Sequence, residues 1–188
     1  MKHVIKIWAT VTVKDKNGKV LRQAKSRTNN LILNNFGIWL AGLIRTPVTA
    51  AGTVVLTDIV PSAQTVTLFS GAPGSAFNVV NAATGTQVQV GSGQTPAQRG
   101  DTNIQTPFAT APENTRFATG PGSYTGGVIT FSGSITAGGN GTIYEVGFFA
   151  AWSAATVLKY FMLFHDLLAT GVSFVATNII IVSYSVQL

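Results

Sequence analysis

The amino-acid sequence predicts a mainly β protein: a β-sandwich, jelly-roll-like, with an N-terminal hairpin and one short helix near residues 30–44. Two observations support this prediction. Short β-branched and aromatic runs recur along the chain, separated by Gly, Pro, Asn and Ser at spacings typical of sandwiches and barrels. One segment instead has apolar residues at intervals of three and four, which is the period of a helix.

Residues 1–28 are predicted to form a basic β-hairpin or extension, and residues 29–188 the sandwich core of a single domain. The run His3–Val13 is β-branched and partly alternating, as in a strand. Asn17-Gly18 separates it from a second extended run. Asn-Gly between two such runs is a strong hairpin signal because both turn positions need a positive φ.

The predicted helix follows this hairpin. From Leu31 to Ile44, apolar residues recur at helical intervals, and Asn29 and Asn30 precede them as candidate N-caps. Pro47 lies beyond the last of them, where helices commonly end. We therefore expect a helix of about four turns.

The remaining strands are expected between turn-forming residues. They lie near Thr53–Leu56, Thr65–Phe69, Phe77–Val80, Gln87–Val90, Val128–Ile135, Thr142–Ala150, Thr156–Leu163, Val172–Val175 and Ile179–Val186. Residues 91–127 contain few apolar runs and many Gly, Pro and Thr, so we expect a long loop there with one edge strand. Structureless loops of this length commonly have a surface role.

The charge content is low and uneven. Charged residues make up 10 % of the chain, against about 25 % in an average soluble domain. A surface so poor in charge suits a chain covered by identical neighbours, because interface cores are depleted in charge. Most of the basic residues lie in residues 1–27, which carry a net charge of +7 while the rest of the chain carries −1. They are Lys2, Lys6, Lys14, Lys16, Lys19, Arg22, Lys25 and Arg27.

Several classes of site are excluded or disfavoured by composition. The chain has no Cys, which excludes disulfides, Cys-ligated zinc, iron–sulfur clusters and cysteine nucleophiles. No apolar run reaches the roughly 18 residues of a membrane span, so we expect none. The N-terminus lacks an apolar segment leading to a small-residue cleavage site, so we expect no signal peptide.

The candidate chemical groups favour structural roles. His165 precedes Asp166, and adjacent side chains on a strand point to opposite faces, so the two cannot pair there. We expect His165 to be a partly buried strand residue. The glycine-rich stretch 91–96 lacks the Gly-Lys-Ser/Thr ending of a phosphate-binding loop and is interpreted as a turn after Val90. Asn140 begins a glycosylation acceptor pattern, which turn chemistry also explains. We predict no catalytic, cofactor-binding or metal-ligating residues, and no enzyme.

Three segments together resemble small structural proteins (coat, tail, filament or decoration) of tailed phages and of viruses of hyperthermophilic archaea. The segments are Val88 to Pro96 continuing to Arg99-Gly100-Asp101, Ile143 to Phe149, and Phe164 to Leu168 followed by the C-terminal strand Ile179 to Leu188. At the position before Asp166, where those proteins often carry Arg, this chain has His165. The resemblance implies a virion component without catalytic residues.

The predicted function is that of a virion structural protein that self-assembles into a capsid, filament or tail surface, in an extracellular particle. Its partners would be copies of itself, other virion proteins and a host-surface receptor. One alternative is a cellular pilus subunit assembled by strand donation from His3–Val13 or Ile179–Val186. We favour the first run as donor, because its hairpin could project from the core. The second alternative is a genome-associated viral protein that binds nucleic acid through residues 1–27.

Overall fold

The computed structural model describes residues 6–27, 31–45, 53–67, 86–120, 122–154 and 157–187. Within these ranges the chain is mainly β, with twelve strands and one helix. The strands are β1 (Lys6–Lys14), β2 (Val20–Lys25), β3 (Leu31–Ile32), β4 (Thr53–Thr57), β5 (Ala63–Thr67), β6 (Thr86–Gly91), β7 (Phe117–Ala118), β8 (Ser123–Thr125), β9 (Val128–Thr136), β10 (Gly141–Ala154), β11 (Val157–Phe174) and β12 (Ile179–Gln187). The helix α1 is Asn34–Arg45.

The first sheet contains both ends of the described chain. Its strand order is β2-β1-β12-β9-β8, and its pairings are antiparallel. In β1, buried apolar residues from Ile7 to Val13 alternate with partly exposed ones, as the period of a strand requires. The predicted hairpin between β1 and β2 is confirmed, and Gly18 in its turn has a φ of 85°.

The predicted N-terminal hairpin does not project from the core. β1 pairs with β12 without a break from Lys6 opposite Gln187 to Lys14 opposite Ile179. Both proposed donor runs are therefore engaged with each other inside one chain over their described residues. Donation of either strand to a neighbour would require this pairing to be exchanged, and the preference for His3–Val13 as the donor stays a prediction.

The second sheet has the strand order β3-β11-β10-β6-β7. β10 and β11 form a long antiparallel hairpin with register shifts between Ile143 and Glu145 and between Phe148 and Phe149. We predicted two strands where β11 is a single one of 18 residues. The polar pair His165-Asp166 interrupts the apolar pattern of the sequence, but its backbone pairs with β10 all the same.

The two five-stranded sheets share one apolar core. The ring centroid of Phe148, in the second sheet, lies 5.2 Å from that of Tyr184 and 5.3 Å from that of Phe131, both in the first sheet. Phe164 extends this cluster, 5.6 Å from Phe148. Full burial of a large apolar side chain stabilises a fold by roughly 1.5–3 kcal/mol. The aromatic contacts thus hold the sheets face to face.

The helix begins later than predicted. Leu31 and Ile32 pair with His165 and Phe164 as a short edge strand, so α1 starts at Asn34 rather than after Asn30. The side-chain amide of Asn35 donates to the carbonyl of Thr57 (2.7 Å) and its oxygen accepts from the Thr57 amide (2.9 Å). This pair of bonds fixes the β4–β5 hairpin against α1.

The segment expected to be a loop with one edge strand, residues 91–127, contains two short strands, β7 and β8. The strand expected at Phe77–Val80 lies outside the described residues. No helix in the described ranges is long and apolar enough to cross a membrane.

Candidate functional site

The connection between β6 and β7 covers the face of the second sheet that is directed away from the first. Ile104 of this connection is buried with Leu33, Phe149 and Met162 in a small second core. The backbone of the connection is also tied down, because the Asn34 amide donates to the Arg99 carbonyl (3.0 Å). Residues 93–106 are called the clamp loop below.

Glu145 of β10 lies at the centre of the contact between the clamp loop and the sheet. Its side chain is fully buried. One carboxylate oxygen, Oε1, accepts the backbone amides of Gly93 (3.0 Å) and Thr106 (2.7 Å). The other, Oε2, accepts the amide of Gln105 (3.0 Å). One carboxylate thus binds both ends of the clamp loop.

His165 of β11 completes the site by joining two carboxylates. Its Nε2 lies 2.9 Å from Oε2 of Glu145, and its Nδ1 lies 2.7 Å from Oδ2 of Asp101 in the clamp loop. An imidazole donates from both nitrogens only when it is protonated. The geometry therefore fits an imidazolium held between two carboxylates, with a side chain that is 0 % exposed.

The pKa values of His165 and Glu145 shift in the directions that favour their charged forms. Burial lowers the pKa of His165, but the hydrogen bonds and charges of Glu145 and Asp101 outweigh burial and raise it above 6.5. Burial likewise raises the pKa of Glu145, but the bonds from His165, Thr106 and Gln105 outweigh it and lower the pKa below 4.5. Both shifts favour the charged pair.

Asp101 lies at the solvent side of the cluster. Its side chain is 17 % exposed. Besides His165, its Oδ2 accepts the backbone amide of Gln98 (2.8 Å) and a longer bond from the Gln105 side chain (3.4 Å). The middle of the clamp loop is therefore attached to the sheet through His165, while its ends are attached through Glu145.

The cluster is built to hold the loop in place. A general base needs a free nitrogen within reach of a substrate, whereas both nitrogens of the buried His165 side chain are occupied by carboxylates. Nor, among the described residues, does any group of three or more potential metal ligands have a geometry suited to a metal ion. What the arrangement can do is fasten a long loop by charge-assisted hydrogen bonds.

The contacts of His165 with Glu145 and Asp101 were not predicted from the sequence, although the three segments that contain these residues were identified there. His165 and Asp166 lie on opposite faces, as expected, but His165 is fully rather than partly buried. Its partners lie 20 and 64 residues away along the chain. The available signal was the glycines: a Cβ on Gly91 or Gly93 would lie 2.5 Å from Oε1 of Glu145.

Asp166 faces the shared core on the other side of the sheet. It is 2 % exposed, and burial raises its pKa to about 7 although Tyr184 and His165 lower it. The Tyr184 hydroxyl donates to the carbonyl of Val146 (2.9 Å). Oδ2 of Asp166 has no hydrogen-bond partner, which is consistent with a carboxyl that is costly to ionise.

The other candidate residues of the sequence have turn roles in the structure. The amide of Ser92 donates to the Thr106 carbonyl (2.9 Å), which closes the glycine-rich stretch against the end of the clamp loop. The Asn140 side chain accepts the amide of Ala176 (2.9 Å) and so joins two neighbouring turns.

No protein-family model matches the chain, and no curated protein or solved structure matches it.

The contributions of His165 and Glu145 to the free energy of unfolding should depend on each other, because the two side chains form a buried ion pair. Breaking a buried ion pair by removing one partner costs about 3–5 kcal/mol, so His165→Leu should lower the melting temperature by about 10 °C. In a double-mutant cycle with Glu145→Gln, the combined loss should be smaller than the sum of the single losses by at least about 1 kcal/mol. Strict additivity in urea unfolding would show that the two side chains do not interact.

The close fit of the clamp loop should make Gly91 intolerant of a methyl group. A Cβ there would lie 2.6 Å from Cγ2 of Ile104 and 2.7 Å from the Thr106 carbonyl oxygen. Gly91→Ala should therefore cost about 1–3 kcal/mol in thermal unfolding. Gly100→Ala is the matched control, because a Cβ at Gly100 meets nothing within 4 Å. Equal losses in the two variants would contradict the packing described.

Two buried groups should make the protein more stable in mild acid than in mild base. Burial raises the pKa of Asp166 from 3.8 to about 7, so the folded state holds this proton more tightly and stability falls as the pH rises between these values. The His165 contribution is complete below its ordinary pKa of 6.5 and is lost as the pH rises through its raised folded pKa.

Urea unfolding between about pH 4 and pH 8 separates the two groups. Asp166→Asn should flatten the pH dependence below about 7, and His165→Gln should flatten it above 6.5. A wild-type protein whose stability rises steadily over this range would rule out both assignments.

Proposed function

We propose that this chain is a non-enzymatic structural subunit that assembles with copies of itself, as a component of a virion. The observation that carries this proposal is the composition of one half of the first sheet. The three adjacent strands β12, β9 and β8 contain no charged residue. Burying such a surface against a neighbour requires no ion to be desolvated.

The outer face of this charge-free half consists largely of hydroxyl groups that bond to one another. Ser132 and Ser183 pair across β9 and β12 at 2.6 Å, and Thr130 pairs with Ser185 at 3.1 Å. Because these hydroxyls already have partners, covering them costs less than covering free ones. The face is thus polar enough for water and still suited to contact with protein.

Among the described residues the sheet ends at β8, with no described strand beside its outer edge. An uncharged open edge favours pairing with another chain, whereas Lys and other charges on an edge discourage it. β8 is three residues long with Tyr124 68 % exposed, and the opposite edge, β2, carries Arg22 and Lys25. Three residues cannot bury the roughly 1,200 Å² of a specific interface, so the contact includes the hydroxyl face beside them.

The buried site supports the non-enzymatic part of this proposal, because His165 has no free nitrogen and no access to solvent. We include the virion setting because of the resemblance of the three motif segments. Those segments supply Gly93, Asp101, Glu145 and His165, which meet in one cluster. A jelly-roll-like path, in which the chain passes repeatedly between two sheets, is part of the same proposal.

Light scattering and negative-stain microscopy test assembly directly. Wild-type protein should form particles whose mass grows with concentration between about 1 and 100 µM. Tyr124→Lys with Ser134→Lys should raise the assembly midpoint at least about tenfold, equivalent to about 1.4 kcal/mol, because it places two cations in the charge-free half.

The matched control adds the same charge on the β4–β5 hairpin. Val60→Lys with Thr65→Lys alters one residue of closely similar exposure, Val60 at 70 %, and one other exposed position. This variant should assemble like the wild type. A wild-type mass of 19.7 kDa at every concentration would refute assembly, and equal effects of the two double variants would place the contact elsewhere.

A further inference from the structure

The acidic side chains of this protein are almost all withdrawn from the surface. The chain has six Asp and Glu residues, and each lies in a described range. Four are buried: Asp58, Glu113, Glu145 and Asp166. Asp101 is bonded to His165, and Oδ1 of Asp15 accepts the amides of Asn17 and Lys19, both at 2.9 Å. The protein therefore offers almost no free carboxylate to a partner.

The basic side chains of the β1–β2 hairpin have the opposite distribution. Within the described residues, none of the hairpin cations forms an ion pair. The exposed ones are Lys6, Lys16, Lys19, Arg22, Lys25 and Arg27. Lys16 and Lys19 lie in the turn, Lys6 and Lys25 lie on the outer face of the hairpin, and Arg27 follows β2, so these five cations form a basic strip along one edge of the first sheet. Arg22 lies opposite buried Val13 on the other face and donates to the Ser173 carbonyl (3.2 Å).

These two distributions decide what this strip can bind. A second copy of the chain offers no exposed group of carboxylates that could neutralise the five cations of the strip, so contact between copies does not account for the strip. Its complement must come from a molecule with many closely spaced anions. We propose that the basic strip binds nucleic acid through the phosphate backbone, independently of contacts between copies.

The shape and chemistry of the hairpin favour nucleic acid among polyanions. β1 has nine residues and is about 30 Å long, which lets the strip follow several successive phosphates. Thr10, Thr12 and Gln23 lie beside the cations on the outer face, and hydroxyl and amide groups are common phosphate donors. The Lys25 ammonium lies 4.4 Å from the centre of the Trp8 ring, so that ring is covered on one face by a cation.

A membrane surface is the weaker candidate. Stable insertion into an interface needs a broad apolar face beside the basic one. Val20 and Leu21 are the exposed large apolar residues of the hairpin, and the face beside the cations is formed by Thr and Gln. Vesicles therefore form the competing arm of the test.

Fluorescence anisotropy with a labelled oligothymidine measures the binding. Each phosphate contact on a single strand contributes about 0.7 to the salt slope, so five contacts predict a log–log slope of about −3.5. Lys16→Gln, Lys19→Gln and Lys25→Gln together should more than halve that slope and weaken binding about 100-fold near 50 mM salt. Exposed substitutions of this kind change stability little, which a thermal melt verifies.

The control changes the net charge equally at another place. Val60→Glu, Ala63→Glu and Thr65→Glu alter three exposed residues of the β4–β5 hairpin and should leave binding within about threefold of wild type. Equal loss in both triple variants would show that net charge, and not the strip, governs binding. Absence of oligothymidine binding, or binding confined to vesicles of phosphatidylserine, would overturn the proposal.

Discussion

The buried charge of Glu145 is the constraint on which the outer side of the second sheet depends. Removing a carboxylate from water costs several kcal/mol even after the protein relaxes, and this cost must be offset locally. Gly93, Gln105 and Thr106 donate backbone amides to it, and His165 adds an imidazolium. Because those amides lie at the two ends of the clamp loop, the loop can leave the sheet only if water reaches the carboxylate. The clamp loop must therefore stay in place for the Glu145 carboxylate to remain solvated by protein groups.

Features determined by neighbours in sequence were predictable. Alternation in β1 and the Asn17-Gly18 pair identify the hairpin, because both signals depend on local backbone geometry. Features determined by distant partners were not. Leu31 and Ile32 carry a helical pattern but join a sheet, since β11 offers them an unpaired edge. The His165 cluster depends on three segments meeting in space, and no local rule describes that meeting.

The distribution of charge gives the two edges of the first sheet different properties. Net charge counted over the sequence, +6, understates the positive character of the surface, because four of the six carboxylates are inside. The basic edge at β2 disfavours strand pairing and attracts anions. The uncharged edge at β8 permits contact with protein. The basic strip and the charge-free half therefore lie at opposite edges of one sheet.

The pairing of β1 with β12 affects the rate and the order in which the first sheet folds. These strands are the first and last of the described chain, so the first sheet has contacts of very long sequence separation, which slow folding. During synthesis β1 emerges with the buried face that runs from Ile7 to Val13 and must wait for β12. Charges beside an unpaired apolar strand suppress aggregation. Lys6 and Lys14, at the two ends of β1, therefore place charge beside this apolar strand during the interval before β12 is made.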